Sequence, residues 1–213
     1  MAGLGLSGMF LLLTYYFQGI LGFTPVQAGL AFLPFIAGIV IASNVVSNIA
    51  LARLGPKVIV PVGMILAGAG AAWLTRIGPH GSYGYTVAPA LVITGLGVAC
   101  AVVTAFSLGP TRTRPADIGV AASLVNSSNQ IGFSLGAALL NTIAASAAAN
   151  YLGSHPAGTP VTATVHGDVT AFAFLAVLFA AGAVVTGLLH PRRTAISLQP
   201  HPRPGSGIQV DDA

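Results

Sequence analysis

The polar side chains able to do chemistry in this sequence are mostly amides and hydroxyls, set at helical spacing inside apolar runs. Asn126, Asn129, Gln130 and Asn141 project within an arc of about 120° when placed on one helix at 100° per residue. Thr14 and Gln18 stand one turn apart in another run, beside Tyr15 and Tyr16, and Asn44 and Asn48 stand one turn apart in a third. An amide left in hydrocarbon without a partner costs several kcal/mol, so such stripes are expected to face protein or water rather than lipid. Amides donate and accept hydrogen bonds without ionising, which suits them to recognising a ligand rather than transforming one.

The ionisable groups exclude more than they offer. The chain has no Glu, and Asp117, Asp168, Asp211 and Asp212 all fall at expected helix ends or in the tail. With no carboxylate or histidine expected at membrane depth, this chain by itself is expected not to be proton-coupled, and an intramembrane enzyme is disfavoured for the same reason. His80, His155 and His166 fall in expected loops and His190 at a membrane edge, without the spacing of metal ligands, so they read as solvated side chains. Cys100 is the single cysteine, so no internal disulfide or zinc cluster can form. No nucleophile, base or metal constellation is present; no catalysis, cofactor or metal is expected.

What must position the amides is a set of membrane helices. Of the 213 residues 54% are hydrophobic and 6% charged, far below the charge of about 25% usual in a soluble domain. Apolar runs fall at 4–21, 26–51, 58–75, 87–108, 118–151 and 169–189, separated by Gly- and Pro-rich gaps, the longest at 153–168. Runs of this length match a hydrocarbon core of about 30 Å, so six membrane-crossing helices and an all-α membrane protein are predicted. The first run lacks the basic start and cleavage site of a signal peptide and reads as a first span. The fifth exceeds one crossing; its first turns are expected to project from the membrane, with Asp117 as N-cap. Residues 1–190 are taken as the helical bundle and 191–213, rich in Pro and Arg, as a disordered tail.

Cations give the orientation. Arg53, Lys57, Arg112, Arg114, Arg192, Arg193 and Arg203 fall on one side and only Arg76 on the other, which predicts a multi-pass protein with both termini in the cytoplasm. Scattered among loops, these eight cations make no basic face, and no nucleic-acid partner is expected.

The first, second and fifth spans carry the amides and are expected to share a polar cavity, joined less surely by the fourth through Thr94, Thr104 and Ser107. The third and sixth carry none and are expected to face lipid. Gly132 and Gly136 form a small-residue pair that reads as close helix packing. The alternative reading of the amides is interhelical glue in a non-transporting membrane assembly or accessory protein.

The segment Tyr15-Tyr16-Phe17-Gln18-Gly19-Ile20-Leu21-Gly22-Phe23-Thr24-Pro25-Val26-Gln27-Ala28-Gly29-Leu30-Ala31-Phe32-Leu33-Pro34 resembles the start of the C-terminal half of 14-helix drug:proton antiporters of the EmrB/QacA type in the major facilitator superfamily. Gly119-Val120-Ala121-Ala122-Ser123-Leu124-Val125-Asn126, with Asn129-Gln130-Ile131-Gly132 and Leu135-Gly136, is similar to that family's penultimate helix. The resemblance implies one half of a major facilitator fold, the C-terminal bundle of two inverted three-helix repeats, in a bacterial inner membrane. It implies multidrug or small-molecule efflux by proton antiport in the intact protein, with amphipathic or cationic substrates, and a missing N-terminal half that carries the proton-handling acids. Met1 abuts the first span, so a fragment, a split reading frame or a half-transporter is expected. Thr14, Tyr15, Gln18, Asn126, Asn129, Gln130 and Asn141 are the candidate substrate-binding residues. The loop Arg53-Leu54-Gly55-Pro56-Lys57 resembles a degraded copy of the superfamily's gating motif, with Arg53, Gly55 and Lys57 as its members and Asn48 and Ala52 departing from it.

Overall fold

The first apolar run forms α1 (Ala2–Tyr15), which continues through a π-helical turn at Tyr16–Ile20. It stops at Gly22, whose φ of 68° lies in the left-handed region, and the Phe23 N–H turns back onto the Phe17 carbonyl. These features come from a computed structural model that describes residues 2–46, 56–79, 81–108 and 118–189.

The second run begins with a capping box, in which Thr24 accepts from the Gln27 N–H and the Gln27 side chain accepts from the Thr24 N–H. The run then divides into α2 (Pro25–Leu30) and α3 (Leu33–Val45). Pro34 accounts for the break: it has no N–H to give, and its ring crowds the carbonyl four residues back. The chain continues through α4 (Pro56–Leu74), a π-helical turn at Tyr83–Val87 that leads into α5 (Ala88–Leu108), then α6 (Ile118–Ser154) and α7 (Pro160–Leu189).

Five stretches are long and apolar enough to cross a membrane: Gly3–Ile20, Pro25–Val45, Tyr83–Thr104, Ala122–Ser154 and Pro160–Leu188. Among the described residues the third expected span, α4, contributes a shorter apolar stretch, Val58–Leu74.

One expected boundary is corrected. The stretch 153–168 is not a long loop, because α7 starts at Pro160 rather than near Val169. Thr159 caps it: its hydroxyl accepts from the Thr162 N–H while the Thr162 hydroxyl accepts from the Thr159 N–H, with Pro160 in the first helical position. The polar residues His166 and Asp168 are therefore inside the helix, on its second and third turns.

The helices associate as α1 with α6, α3 with α5, α4 with both α5 and α7, and α6 with α7. In lipid such contacts depend on close packing, because hydrocarbon surrounds both the joined and the separated helices. Glycines make the close approaches. A methyl group at Gly136 of α6 would overlap the Leu4 carbonyl of α1, one at Gly95 of α5 the Phe35 carbonyl of α3, one at Gly97 of α5 the Ala67 backbone of α4, and one at Gly167 of α7 the Ala144 carbonyl of α6. Gly3 lies against Asn129 and Gly8 against Leu140, so α1 and α6 run in the same direction, and residues 118–128 of α6 extend past Gly3.

Aromatic rings fill the junction of the first two spans. Phe10 stacks on Phe32 with centroids 4.4 Å apart and meets Phe35 edge-on at 5.3 Å, while Phe17 touches Phe32, Phe23 and Tyr83. Phe172, Leu175 and Phe179 of α7 are fully buried, and Phe174, Val177, Val184 and Leu188 of the same helix are exposed. The helix thus supplies core on one side and an apolar surface suited to lipid on the other.

Candidate functional site: the amide face of α6 and the α1–α7 cleft

The exposed side of α6 divides into two sectors. Ser123, Asn126, Ser127, Gln130, Ser134 and Asn141 are all exposed and fall within about 100° of arc. Val120, Leu124, Ile131, Leu135 and Leu139 are also exposed and dominate the adjoining arc of about 100°, which carries no amide and holds Ser128, Thr142 and Ser146 as its exposed hydroxyls. The serines of the polar sector bond locally, Ser123 to the Val120 carbonyl and Ser134 to the Gln130 carbonyl. The side-chain amides of Asn126, Gln130 and Asn141 have no hydrogen-bond partner among the described residues. A helix wholly against lipid would have no use for the polar sector, and one wholly in water would not carry the apolar one.

Asn129 stands apart from this group. It is half-buried where α6 meets α1, with its backbone and side chain against Gly3. Its position is that of a packing residue at the helix junction.

On α1 the candidates separate in the same way. Tyr15 is 57% exposed and Gln18 is exposed, and both line an open cleft of about 300 Å³ together with Gly19, Ile20, Pro160, Val161 and Thr164. Thr14 is half-buried, and its hydroxyl donates to the Phe10 carbonyl at 2.7 Å. The cleft is thus walled by α1 and the start of α7. It gathers Tyr15 and Gln18 but none of the α6 amides.

Other polar groups are occupied. Asn44 of α3 is exposed and donates to the Val40 carbonyl at 2.8 Å. Thr94 and Thr104 of α5 are buried and donate to the Ala90 and Cys100 carbonyls of their own helix, so they take part in packing. Arg53, Gly55, Asn48, Asp117 and the tail at 191–213 lie outside the described residues, as does the side chain of Lys57.

Tyrosines tie the chain together at the end where residues 21–24, 75–82 and 155–159 turn. Tyr16 donates to the Gly78 carbonyl at 2.8 Å, and Tyr83 donates to the Ala31 carbonyl at 2.8 Å. Each stands at the first position of a π-helical turn. At the same end Tyr151 stacks on His155 with centroids 4.4 Å apart and lies 4.9 Å from the His166 ring, both histidines being exposed.

One group was missed by sequence reasoning. The expectation that Asp168 falls at a helix end is corrected: it is in the third turn of α7, within a stretch, Pro160–Leu188, long and apolar enough to cross a membrane, and is 3% exposed. Its Oδ2 has no hydrogen-bond partner among the described residues. The signal that could have found it is the Thr159-Pro160-Val161-Thr162 start, which places a helix N-terminus well ahead of the apolar run.

Comparison with known proteins gives this arrangement a family. Residues 1–137 match the model of the Major Facilitator Superfamily. The chain is 41% identical over 196 residues to the puromycin resistance protein of Streptomyces alboniger, covering 90% of this chain and 39% of that protein. It is 34% identical over 142 residues to the tetracenomycin C resistance and export protein of Streptomyces glaucescens, covering 66% of this chain and 26% of the relative. It is 29% identical over 195 residues to the cephamycin export protein of Amycolatopsis lactamdurans, covering 89% and 37%. The chain thus spans well under half the length of these relatives. With its multi-pass helical architecture and amide-bearing α6, it belongs to the major facilitator superfamily, a family of membrane transporters rather than enzymes, and is related there to drug-resistance exporters.

Proposed function

We infer that this chain is the C-terminal six-span bundle of a drug exporter of the 14-helix type, and that the polar sector of α6 forms part of the wall of its substrate path. The observation that carries the reading is the division of α6: a sector bearing the exposed amides beside a sector dominated by exposed aliphatic side chains, on a helix that packs against α1 and α7 through its remaining side. The apolar sector suits lipid, and the polar one suits a water-filled path between this bundle and an N-terminal half. Gln18 and Tyr15 extend the wall on α1, at the end toward Gly78.

The pairing of helices supports the inverted-repeat architecture. Exchanging the first three spans for the last three turns the α1–α6 pair into the α5–α3 pair and maps α4–α7 onto itself, and all three pairs are present. The loop cations support a bacterial inner-membrane placement with both termini in the cytoplasm. The resistance and export proteins it resembles support small amphipathic molecules of antibiotic type as cargo, moved by one bundle rocking against the other around a midplane site.

The test uses the full-length transporter containing this segment, expressed in a drug-sensitive host. Asn126→Leu and Gln130→Leu together should change the relative resistance to several drugs by several-fold, while Ile131→Leu on the apolar sector leaves the profile as it was. An unaltered profile in the double variant would count against the pathway assignment.

A further inference from the structure

The carboxyl group of Asp168 has no part in the recognition described above, and among the described residues it alone holds a buried side-chain oxygen without a hydrogen-bond partner. It lies about 12 Å along α7 from Pro160, at 1.5 Å per residue. The residue is 3% exposed and its Oδ2 lacks a partner. A buried carboxylate survives only when a cation or several donors compensate the water it has lost.

Among the described residues the elements around α7 supply no such compensation. From α1 comes Tyr16, whose hydroxyl proton is committed to the Gly78 carbonyl. The only ionisable residue of α6 is Tyr151, whose ring is held between His155 and His166. The only one of α4 is Lys57, in its first turn at the opposite end, and Arg76 beyond α4 lies over the Trp73 ring at 5.0 Å. On α7 itself His166 is exposed and stands two residues away, about 200° around the helix. Among the described residues no cation pairs with the group, and the countercharge that remains to it is a proton.

A route for that proton is present as well. Thr164 lines the cleft of about 300 Å³ between α1 and α7, and Asp168 is the next residue on the same face of α7, one turn deeper. Water in the cleft is therefore one helical turn from the carboxyl group.

We propose that Asp168 is a proton-binding site within the membrane span, loaded when α1 and α7 are packed as here and unloaded through the α1–α7 cleft when they part. In the packed state the group is a neutral carboxylic acid. When the cleft deepens, its O–H bond breaks, the proton passes to water, and the carboxylate left behind is solvated. Proton binding and closure of this end then favour each other, since a ligand shifts a two-state equilibrium toward the state that binds it better. The inference goes beyond the substrate path on α6 and does not require it.

The test is infrared spectroscopy of the purified chain in lipid nanodiscs, following the carbonyl stretch of protonated carboxylic acid as pH is raised. With four Asp and no Glu the spectrum has few competing bands. A protonated-acid band should be present at neutral pH, disappear reversibly on alkaline titration, be absent in Asp168→Asn and persist in Asp117→Asn. A band that survives in Asp168→Asn, one that is lost in Asp117→Asn, one that resists alkaline titration, or the absence of any band in the wild-type chain would each overturn the proposal. The readout needs no drug and no second half, so failed efflux and a failed proton site are distinguishable.

Discussion

The hydroxyl of Tyr16 donates to the carbonyl of Gly78 at 2.8 Å, joining the π-helical end of α1 to the turn that follows α4, 62 residues away. Tyr83 makes the counterpart bond to the Ala31 carbonyl between α2 and α3, also at 2.8 Å. In the order of the spans, one bond leaves the last turn of the first span and the other the first turn of the fourth. Both therefore tie neighbouring helices at one end of the protein without occupying its middle.

Removing either hydroxyl leaves a backbone carbonyl without its partner and the ring packing intact. Tyr16→Phe and Tyr83→Phe are each expected to lower stability by about 1 kcal/mol, the usual net value of such a bond. Thermal unfolding of the purified chain in detergent, compared at one protein concentration, measures it. A midpoint unchanged in both variants would show that these bonds do not hold the end together.

Gly136 makes a sharper case. A methyl group there would overlap the Leu4 carbonyl, and neither backbone can yield without separating α1 from α6. Gly136→Ala should therefore destabilise by about 1–3 kcal/mol, as overpacking does. Gly187 of α7 has open space around it, so Gly187→Ala should be neutral or slightly stabilising through helix propensity. The pair is read from the same unfolding curves, and equal behaviour of the two variants would contradict the close approach.

Much of this was legible from residue types alone. The apolar runs gave the helices, because lipid forces every backbone group to be satisfied within its own segment. The Gly132–Gly136 spacing gave the packing side of α6, where Gly136 is buried against α1 and Gly132 is half-buried beside Gly3. The amide stripe was also visible, but angular arithmetic alone could not separate Asn129, turned toward Gly3, from Asn126 and Gln130, which are exposed. The start of α7 was hidden for a chemical reason. Thr162, Thr164, His166 and Asp168 lower the local hydropathy while remaining helical, and Thr164 and Thr170 return their hydroxyl protons to carbonyls of their own helix.

That start makes a prediction of its own. Thr159→Ala removes the hydroxyl that accepts from the Thr162 N–H and frays the first turn of α7, at a cost of about 1 kcal/mol. Because Pro160 and Val161 form one wall of the cleft with Tyr15 and Gln18, the same change should loosen that wall. Amide hydrogen exchange over residues 161–165 should accelerate, with little change over the middle of α7. If exchange there stays as slow as in the parent chain, the Thr159–Thr162 cap does not set the helix start.

The two sectors of α6 differ in what they should meet. Replacing Cys100 by Ala, along with any cysteine outside this segment, gives a background into which single cysteines can be placed at Asn126, Gln130 and Asn141 or at Leu124, Ile131 and Leu135. A membrane-impermeant maleimide reacts with the thiolate, which forms readily in water and poorly in hydrocarbon. In the full-length transporter in membranes, the amide-sector positions should react at least ten-fold faster than the apolar-sector ones, and substrate should protect them. A fluorophore placed on the apolar sector should instead be quenched by spin-labelled lipid tails. Equal maleimide rates on the two sectors would mean that α6 does not divide lipid from an aqueous path, and the assignment of Asn126, Gln130 and Asn141 to that path would fall with it.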